Sequence, residues 1–396
     1  MRNPERNASR LLPVLLAFNF GAVFLGRNAL DYLMPFAVTD LGLTNTQIGL
    51  LSSGLALMWA LSGFGLTTFA APRFPAKTLL IYLGLLVAAT ALASAAAASF
   101  LTLLASRLAY GLFCGPVMPV TQSVMAQAAS RRHRGLQMSM VQSVASNLVA
   151  AILGPAVLVP IAAIAGWRIA LTCAAVLLLL SSTLIARFLI VPRREVVAPA
   201  GQGGLLRSLL AAPNVRRCGL ISIAMVGWLI TSVTFYPLYL TRAAHASSAQ
   251  MGLLMTAVGL GGLAGSLLLP YLSDRWGRRR ALMVGGLLGL LGPLTLYHPG
   301  SPAATGTALL LSSLAGGTFP LFMATVPAES LPPDRAPAGM GLVQGLGESL
   351  GGVGTPYLAG VLADAYGLQA VLLVIGSCAA IATVIAAGVT EGAPDV

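Results

Sequence analysis

Four charged side chains stand inside long apolar runs, where a charge is costly and usually functional: Arg27, Asp31, Arg107 and Glu348. Arg27 and Asp31 lie one helical turn apart in GRNALDYLMP (Gly26 to Pro35), a spacing that puts both on one helix face. Such a face must look into a wet cavity rather than at lipid. A guanidinium there offers a planar fork of N–H donors that matches a carboxylate or a phosphate. Arg27 and Arg107 fall at similar depth, roughly 9 to 13 Å from one membrane surface at ~1.5 Å per helical residue. Two forks converging there would bind an anion, and Asp31 and Glu348 are the carboxylates expected to take up and release a coupled proton. Other roles are open on the residues alone: Arg27 paired with Asp31, Arg107 bonded to backbone carbonyls, Glu348 hydrogen-bonded between helices.

Polar and aromatic residues on neighbouring segments are expected to complete the site: Tyr110, Gln142 and Asn147 in the first half, Trp228, Tyr236 and Gln344 in the second. Gln344 stands one turn before Glu348 and shares its face. Chemistry of other kinds finds no support. HExxH, GxSxG and Walker patterns are absent, and His133, His245 and His298 lack metal-ligand spacing. We therefore expect no enzyme, cofactor or metal, and an ion gradient or exchange rather than ATP as the energy source.

The elements that must hold these residues follow from composition. Of 396 residues 57% are hydrophobic and 9% charged, against about 25% charged in soluble domains. The chain reads as an all-α, multi-pass membrane protein. Twelve apolar segments can be laid out, at 11–36, 47–70, 78–99, 101–127, 137–163, 168–191, 217–241, 248–272, 280–298, 303–327, 337–362 and 366–390. They form two six-helix bundles, 1–191 and 217–396, joined by a polar cytoplasmic linker at 192–216. The N-terminal charge pattern resembles a signal peptide. The run from Leu11 continues to about Phe36 without a small-residue cleavage site, so it is expected to be a retained helix.

The net charge of +12 does not point to nucleic acid. With the N-terminus in the cytoplasm, all Lys and Arg except Arg27, Arg107, Arg168 and Arg242 fall in cytoplasmic loops or tails, as the positive-inside rule requires, and both termini are then cytoplasmic. Cys114, Cys173, Cys218 and Cys378 show no CxxC spacing and read as packing residues.

An internal repeat appears at an offset of about 200 residues: Pro35 with Pro237, Gln47 with Gln250, Gly49 with Gly252, Arg73 with Arg275, Arg134 with Arg335, and Pro155 with Pro356. Repeats of this kind place a substrate site near the bilayer midplane. The local motifs agree. YLSDRWGRRR (Tyr271 to Arg280) is similar to the G-x-L-A-D-R-x-G-R-R loop of the major facilitator superfamily, with Pro270 at the first glycine; the first-half counterpart has Pro72 at the aspartate. RLAYGLFCG (Arg107 to Gly115) is similar to the family's fourth-span motif, and Pro327 to Gly352 to its spans ten and eleven. Within the family, span one resembles the anion:cation symporter pattern D-R-x-x-L-S-x-A-x-P, with Gly26 at its aspartate and Cys114 where that group often has a glutamate.

The resemblance implies a secondary transporter with both bundles lining a central cavity. It implies an inner-membrane carrier, expected as a monomer, that moves a small organic anion (a monocarboxylate or aromatic carboxylate) with protons or a counter-substrate by alternating access. It also implies a cytoplasmic gate in which Asp274 caps a neighbouring helix and Arg275 and Arg278 take part. A proton-driven exporter of drugs or lipophilic metabolites is the alternative, suggested by Gly154 and Pro155.

Overall fold

Lipid offers the backbone no hydrogen-bond partner, so each apolar segment must close its N–H and C=O groups within a helix. The computed structural model describes residues 4–70, 73–128, 144–190, 205–298, 300–332 and 335–391. Among the described residues every regular element is helical, and eleven helices are long and apolar enough to cross a membrane. Spans one to six are Leu11–Leu41, Asn45–Thr67, Ala76–Ala95, Phe100–Met125, Ser146–Ala165 and Trp167–Phe188. Spans seven to ten are Pro213–Arg242, Ser248–Trp276, Arg278–Tyr297 and Pro302–Glu329, and span twelve is Gln369–Ala386. Span eleven is a composite of Ala336–Leu346, a π-turn at Gly347–Gly351, and Gly352–Tyr366.

The π-turn has a cause in the sequence. A proline inside a helix donates no N–H and its ring crowds the carbonyl four residues back, and a widened turn absorbs the misfit. Pro356 follows the π-turn of span eleven, and Pro155 follows the π-helix Ser146–Leu153 of span five. Both spans then end on a glycine of positive φ, Gly166 at +90° and Gly367 at +85°, a conformation open to glycine without strain. The repeat seen in residue types thus recurs in the backbone.

The chain forms two compact units. The first comprises Met1–Leu43, Gly54–Val197 and Ser247–Thr256. Its core is built from buried faces of spans one, three, four and six, including Leu16, Phe20, Leu80, Val87, Tyr110, Cys114 and Leu178. An ion pair between Asp40 and Arg168, joined by the Trp167 indole N–H at 3.0 Å from Asp40, ties span one to span six. The second unit comprises Thr44–Ser53, Ala198–Ala246 and Ala257–Val396.

Within the second unit the start of span two lies along span eleven. A Cβ at Gly49 would overlap the Pro356 carbonyl, and one at Gly360 the Asn45 carbonyl, so both glycines serve close backbone approach. The Ser53 hydroxyl donates to the Val353 carbonyl at 2.6 Å. Asp364 then takes up the orphan donors that every helix start carries. Its carboxylate accepts from the Asn45 and Thr46 backbone N–H groups at 2.9 and 2.8 Å and from the Thr46 hydroxyl at 2.6 Å.

Asp364 makes these bonds from the last turn of span eleven. Asp364→Ala is expected to cost about 1 kcal/mol and to speed amide hydrogen exchange at Asn45 and Thr46. Unchanged exchange there would show that the cap contributes nothing.

Candidate functional site

Span one carries Arg27 half-buried, with its guanidinium stacked 4.4 Å over the Trp59 ring of span two and 5.6 Å from the Phe24 ring one turn back. Phe24 and Trp59 meet edge to face at 5.5 Å, and Phe20 continues the row at 4.7 Å. The cation thus rests on an aromatic wall. Such a contact stabilises a guanidinium through the ring face.

Arg107 is placed differently. It is 2% exposed, and its Nε and Nη2 donate to the Ser94 hydroxyl of span three at 3.3 and 2.9 Å, while Nη1 reaches the Gly26 carbonyl of span one at 3.5 Å. Ser94 is itself held by the Thr90 carbonyl and the Ser106 hydroxyl. The Arg107 guanidinium also lies 4.9 Å from the Tyr110 ring centroid. Arg107 is therefore a buried tie between spans one, three and four, the role a guanidinium plays when carbonyl and hydroxyl oxygens satisfy it. Asp31 acts electrostatically on Arg107 and on Tyr32. Arg27 and Arg107 both act on Tyr110 and Cys114. The structure therefore brings Arg27, Asp31, Arg107 and Tyr110 into one electrostatic field.

Gly26 belongs to the same cluster. The Tyr110 hydroxyl donates to the Val23 carbonyl at 2.8 Å and passes through the space a Cβ at Gly26 would need; Leu178 closes that space from the other side. The glycine is there for the tyrosine. Asn147 lies on the π-helix of span five, which packs on span one where Gly21 meets Val149 and the Ala145 carbonyl. Gln142 lies outside the described residues. Trp59 was not anticipated from sequence; a single Trp in an apolar run carries no signal of what its ring will face.

The second unit holds the remaining expected residues. Trp228 is buried on span seven, and its indole N–H donates to the Gly289 carbonyl of span nine at 3.1 Å, beside the Ser312 hydroxyl at 3.2 Å. That carbonyl needs them because Pro293, four residues on, has no N–H to offer. Tyr239 does the same for the Leu296 carbonyl at the end of span nine, at 3.0 Å. Trp228 thus repairs a proline-broken helix. Tyr236 lies on the same stripe, its hydroxyl against the Cβ position of Gly292. Gln344 ends the turn before the π-turn that carries Glu348, and Gly347 and Gly351 of that turn seat on Ser222 and the Ile223 carbonyl of span seven.

At the junction of spans eight and nine, Arg278 bridges Asp274 at 2.5 Å, the Ser273 hydroxyl at 2.6 Å and Glu329 at 2.8 Å. Arg275 stacks on Tyr271 at 4.4 Å. The helix cap expected of Asp274 falls instead to Glu391, which accepts from the Arg278 and Arg279 backbone N–H groups at 2.9 Å each. Asp274 is one turn from Arg278 and is taken by that nearer cation.

A many-span helical membrane protein with two proline-marked repeats, a half-buried cation in span one and a buried one in span four has the features of a transporter scaffold. The sequence profile of the Major Facilitator Superfamily matches residues 16–236 and again 218–394, and the chain belongs to that family of membrane transporters. Solved structures agree in fold. The chain is similar to a bacterial homologue of the human lysosomal transporter Spinster, with a TM-score of 0.75, 16% identity and 96% of each chain covered. It is similar to the nucleoside transporter NupG, with a TM-score of 0.73, 13% identity, 95% of this chain and 97% of that one. It is also similar to the human organic anion transporter MFSD10, with a TM-score of 0.66, 20% identity, 97% of this chain and all of the other. No curated protein sequence matches the chain significantly.

Proposed function

We propose that the protein is a secondary active transporter of the cell inner membrane that moves a small organic anion, a monocarboxylate or aromatic carboxylate, by alternating access of its two halves, 1–191 and 217–396. The observation that supports this reading is the first-unit cluster, in which Arg27 and Arg107 act on the same buried Tyr110 and Asp31 acts on Arg107. A buried excess of positive charge favours an anionic ligand. Arg27 contacts the anion with its in-plane donors, and Arg107 holds span one in register behind it. Tyr110, Gln142, Asn147, Trp228, Tyr236 and Gln344 shape the remainder of the site.

Asp31 or Glu348 carries the coupled proton, since these acids stand inside the apolar segments 11–36 and 337–362 rather than at their ends. The Asp274, Arg275 and Arg278 junction acts as the cytoplasmic gate. MFSD10 is described as an organic anion transporter, but at 20% identity its likeness supports the fold, and the anion reading rests on the arginines.

The test is a thermal-shift series on purified protein with benzoate, salicylate and the uncharged benzamide, followed by benzoate uptake into proteoliposomes under an imposed pH gradient. A ligand that binds the native state raises its apparent stability. Benzoate and salicylate are expected to raise the Tm and benzamide to leave it unchanged, with uptake faster when the outside is acidic. A stabilising response to uncharged lipophilic compounds alone would replace the anion reading with the exporter one.

A further inference from the structure

The internal repeat gives the chain two equivalent helix junctions, and they are built unequally. Span two begins in the second unit, at Thr44–Ser53, and continues in the first; span eight begins in the first unit, at Ser247–Thr256, and continues in the second. Each start packs on a proline-marked span of the unit that holds it, span two on span eleven where Gly49 meets Pro356, and span eight on span five where Gly252 meets Pro155. Both starts carry the same reciprocal cap, Thr44 with Gln47 and Ser247 with Gln250. Beyond that they differ. The offset that pairs Pro155 with Pro356 sets Val159 opposite Gly360 and Ala163 opposite Asp364. A Cβ at Gly49 overlaps the Pro356 carbonyl, whereas one at Gly252 stays 3.3 Å from Val159 and 3.5 Å from the Pro155 carbonyl. The Ser53 hydroxyl crosses to the Val353 carbonyl at 2.6 Å, while Thr256, in the equivalent place, turns back to the Gly252 carbonyl of its own helix at 2.8 Å. The Thr234 hydroxyl of span seven adds a bond to Ser52 at 2.9 Å. Asp364 accepts from the Asn45 and Thr46 N–H groups and the Thr46 hydroxyl; Ala163 has no side-chain acceptor to offer the equivalent amides of Ser248 and Ala249.

We propose that Asp364 is an outer-side latch: it holds the start of span two on span eleven, so that the junction of spans five and eight is the first to part when the transporter opens outward. This rests on alternating access with cytoplasmic termini, which put the starts of spans two and eight on the outer side. Repeats move against each other in such a cycle, and a helix that begins in one unit and continues in the other must bend or leave its neighbours as they move. The start of span two has a charged acceptor, two hydroxyl ties and two glycine approaches to release. A carboxylate on helix-start amides is further favoured by the helix dipole. The start of span eight has packing against Val159 and Pro155 in their place.

Ser53 lies one turn beyond Gly49 and Thr256 one turn beyond Gly252, so Ser53→Cys and Thr256→Cys report the two junctions from equivalent faces. Each variant of the full chain, in right-side-out membrane vesicles, is treated from outside with a membrane-impermeant maleimide. The labelling rate is read on its own peptide by mass spectrometry, so the native cysteines do not interfere. Thr256→Cys is expected to label faster than Ser53→Cys. Adding Asp364→Ala is expected to speed labelling at Ser53→Cys about fivefold, the effect of losing a helix cap, and to leave Thr256→Cys within about twofold. A merely structural role would speed both probes together and lower the Tm, and that result overturns the proposal. So does a Ser53→Cys rate that Asp364→Ala leaves unchanged while both probes label, an outcome that keeps alternating access standing. No labelling of either probe in either background overturns alternating access itself, and the latch with it. The measurement uses no substrate and is therefore independent of the anion reading. If Asp364→Ala fails to fold, Asp364→Asn takes its place: faster labelling at Ser53→Cys supports the latch, and an unchanged rate overturns it.

Discussion

Arg27→Lys is expected to lower benzoate uptake by about a hundredfold or more while the protein keeps its fold. Lysine preserves the charge but loses the planar fork, and its compact ammonium does not reproduce the delocalised cation that lies 4.4 Å from the Trp59 ring centroid. One charge-assisted hydrogen bond contributes about 1.5–3 kcal/mol and about 1.4 kcal/mol is a factor of ten, so the loss of one arm of the fork and of the stack reaches that size. The measurement is the initial uptake rate per inserted transporter, with gel-filtration profile and Tm recorded beside it. Arg107→Lys is expected to behave differently. Its donors hold Ser94 and the Gly26 carbonyl, so uptake and Tm should fall together. Wild-type rates in both variants would refute the anion site.

The second large effect concerns Gly26. Any Cβ there overlaps the Tyr110 hydroxyl and presses Leu178. Tyr110 is fully buried and bonded to the Val23 carbonyl, so it has nowhere to retreat. Overpacking of this kind costs about 1–3 kcal/mol, and the displaced hydroxyl bond adds about 1 kcal/mol. Gly26→Ala is therefore expected to destabilise by about 2–4 kcal/mol, read as a lowered Tm. Gly65→Ala, where a Cβ meets nothing within 4 Å, is the control and should be close to neutral. The geometry also predicts the sign of a coupling. Tyr110→Phe removes the obstructing atom, and the nearest ring carbon is then 3.3 Å from the new Cβ, so Gly26→Ala should be far less harmful in the Tyr110→Phe background than alone. Additive losses would mean that the hydroxyl is not what excludes a side chain at Gly26.

These two residues connect the site to its support. Gly26 lets Tyr110 cross to span one, its carbonyl receives Arg107, and its neighbour Arg27 is left facing Trp59. The glycine that departs from the symporter pattern is thus explained by packing, since an aspartate at that position would collide with Tyr110. Cys114 sits beyond Tyr110 on the same span, in the field of both arginines, where a glutamate would add a second acid to the cluster.

What the residues alone determined is what depends on local composition and period. Membrane crossing follows from apolar length, and the repeat from prolines and glycines recurring at one offset. Arg27, Asp31, Arg107 and Glu348 were conspicuous because charge is rare among apolar residues. The partners of those charges were decided by tertiary structure, because they come from other helices, brought in by which faces meet. Arg107 is 13 residues from Ser94 and 81 from Gly26 in the chain, and Trp59 approaches Arg27 from a different span. Asp274 was legible as a junction acid, but whether it or Glu391 would cap span nine turned on where the end of the chain returns. Trp228 was conspicuous as an aromatic of span seven, but that its indole N–H donates to the Gly289 carbonyl, four residues before Pro293, was decided by the fold. A guanidinium becomes a ligand site or a helix tie according to the oxygens around it, and those oxygens are supplied by the fold.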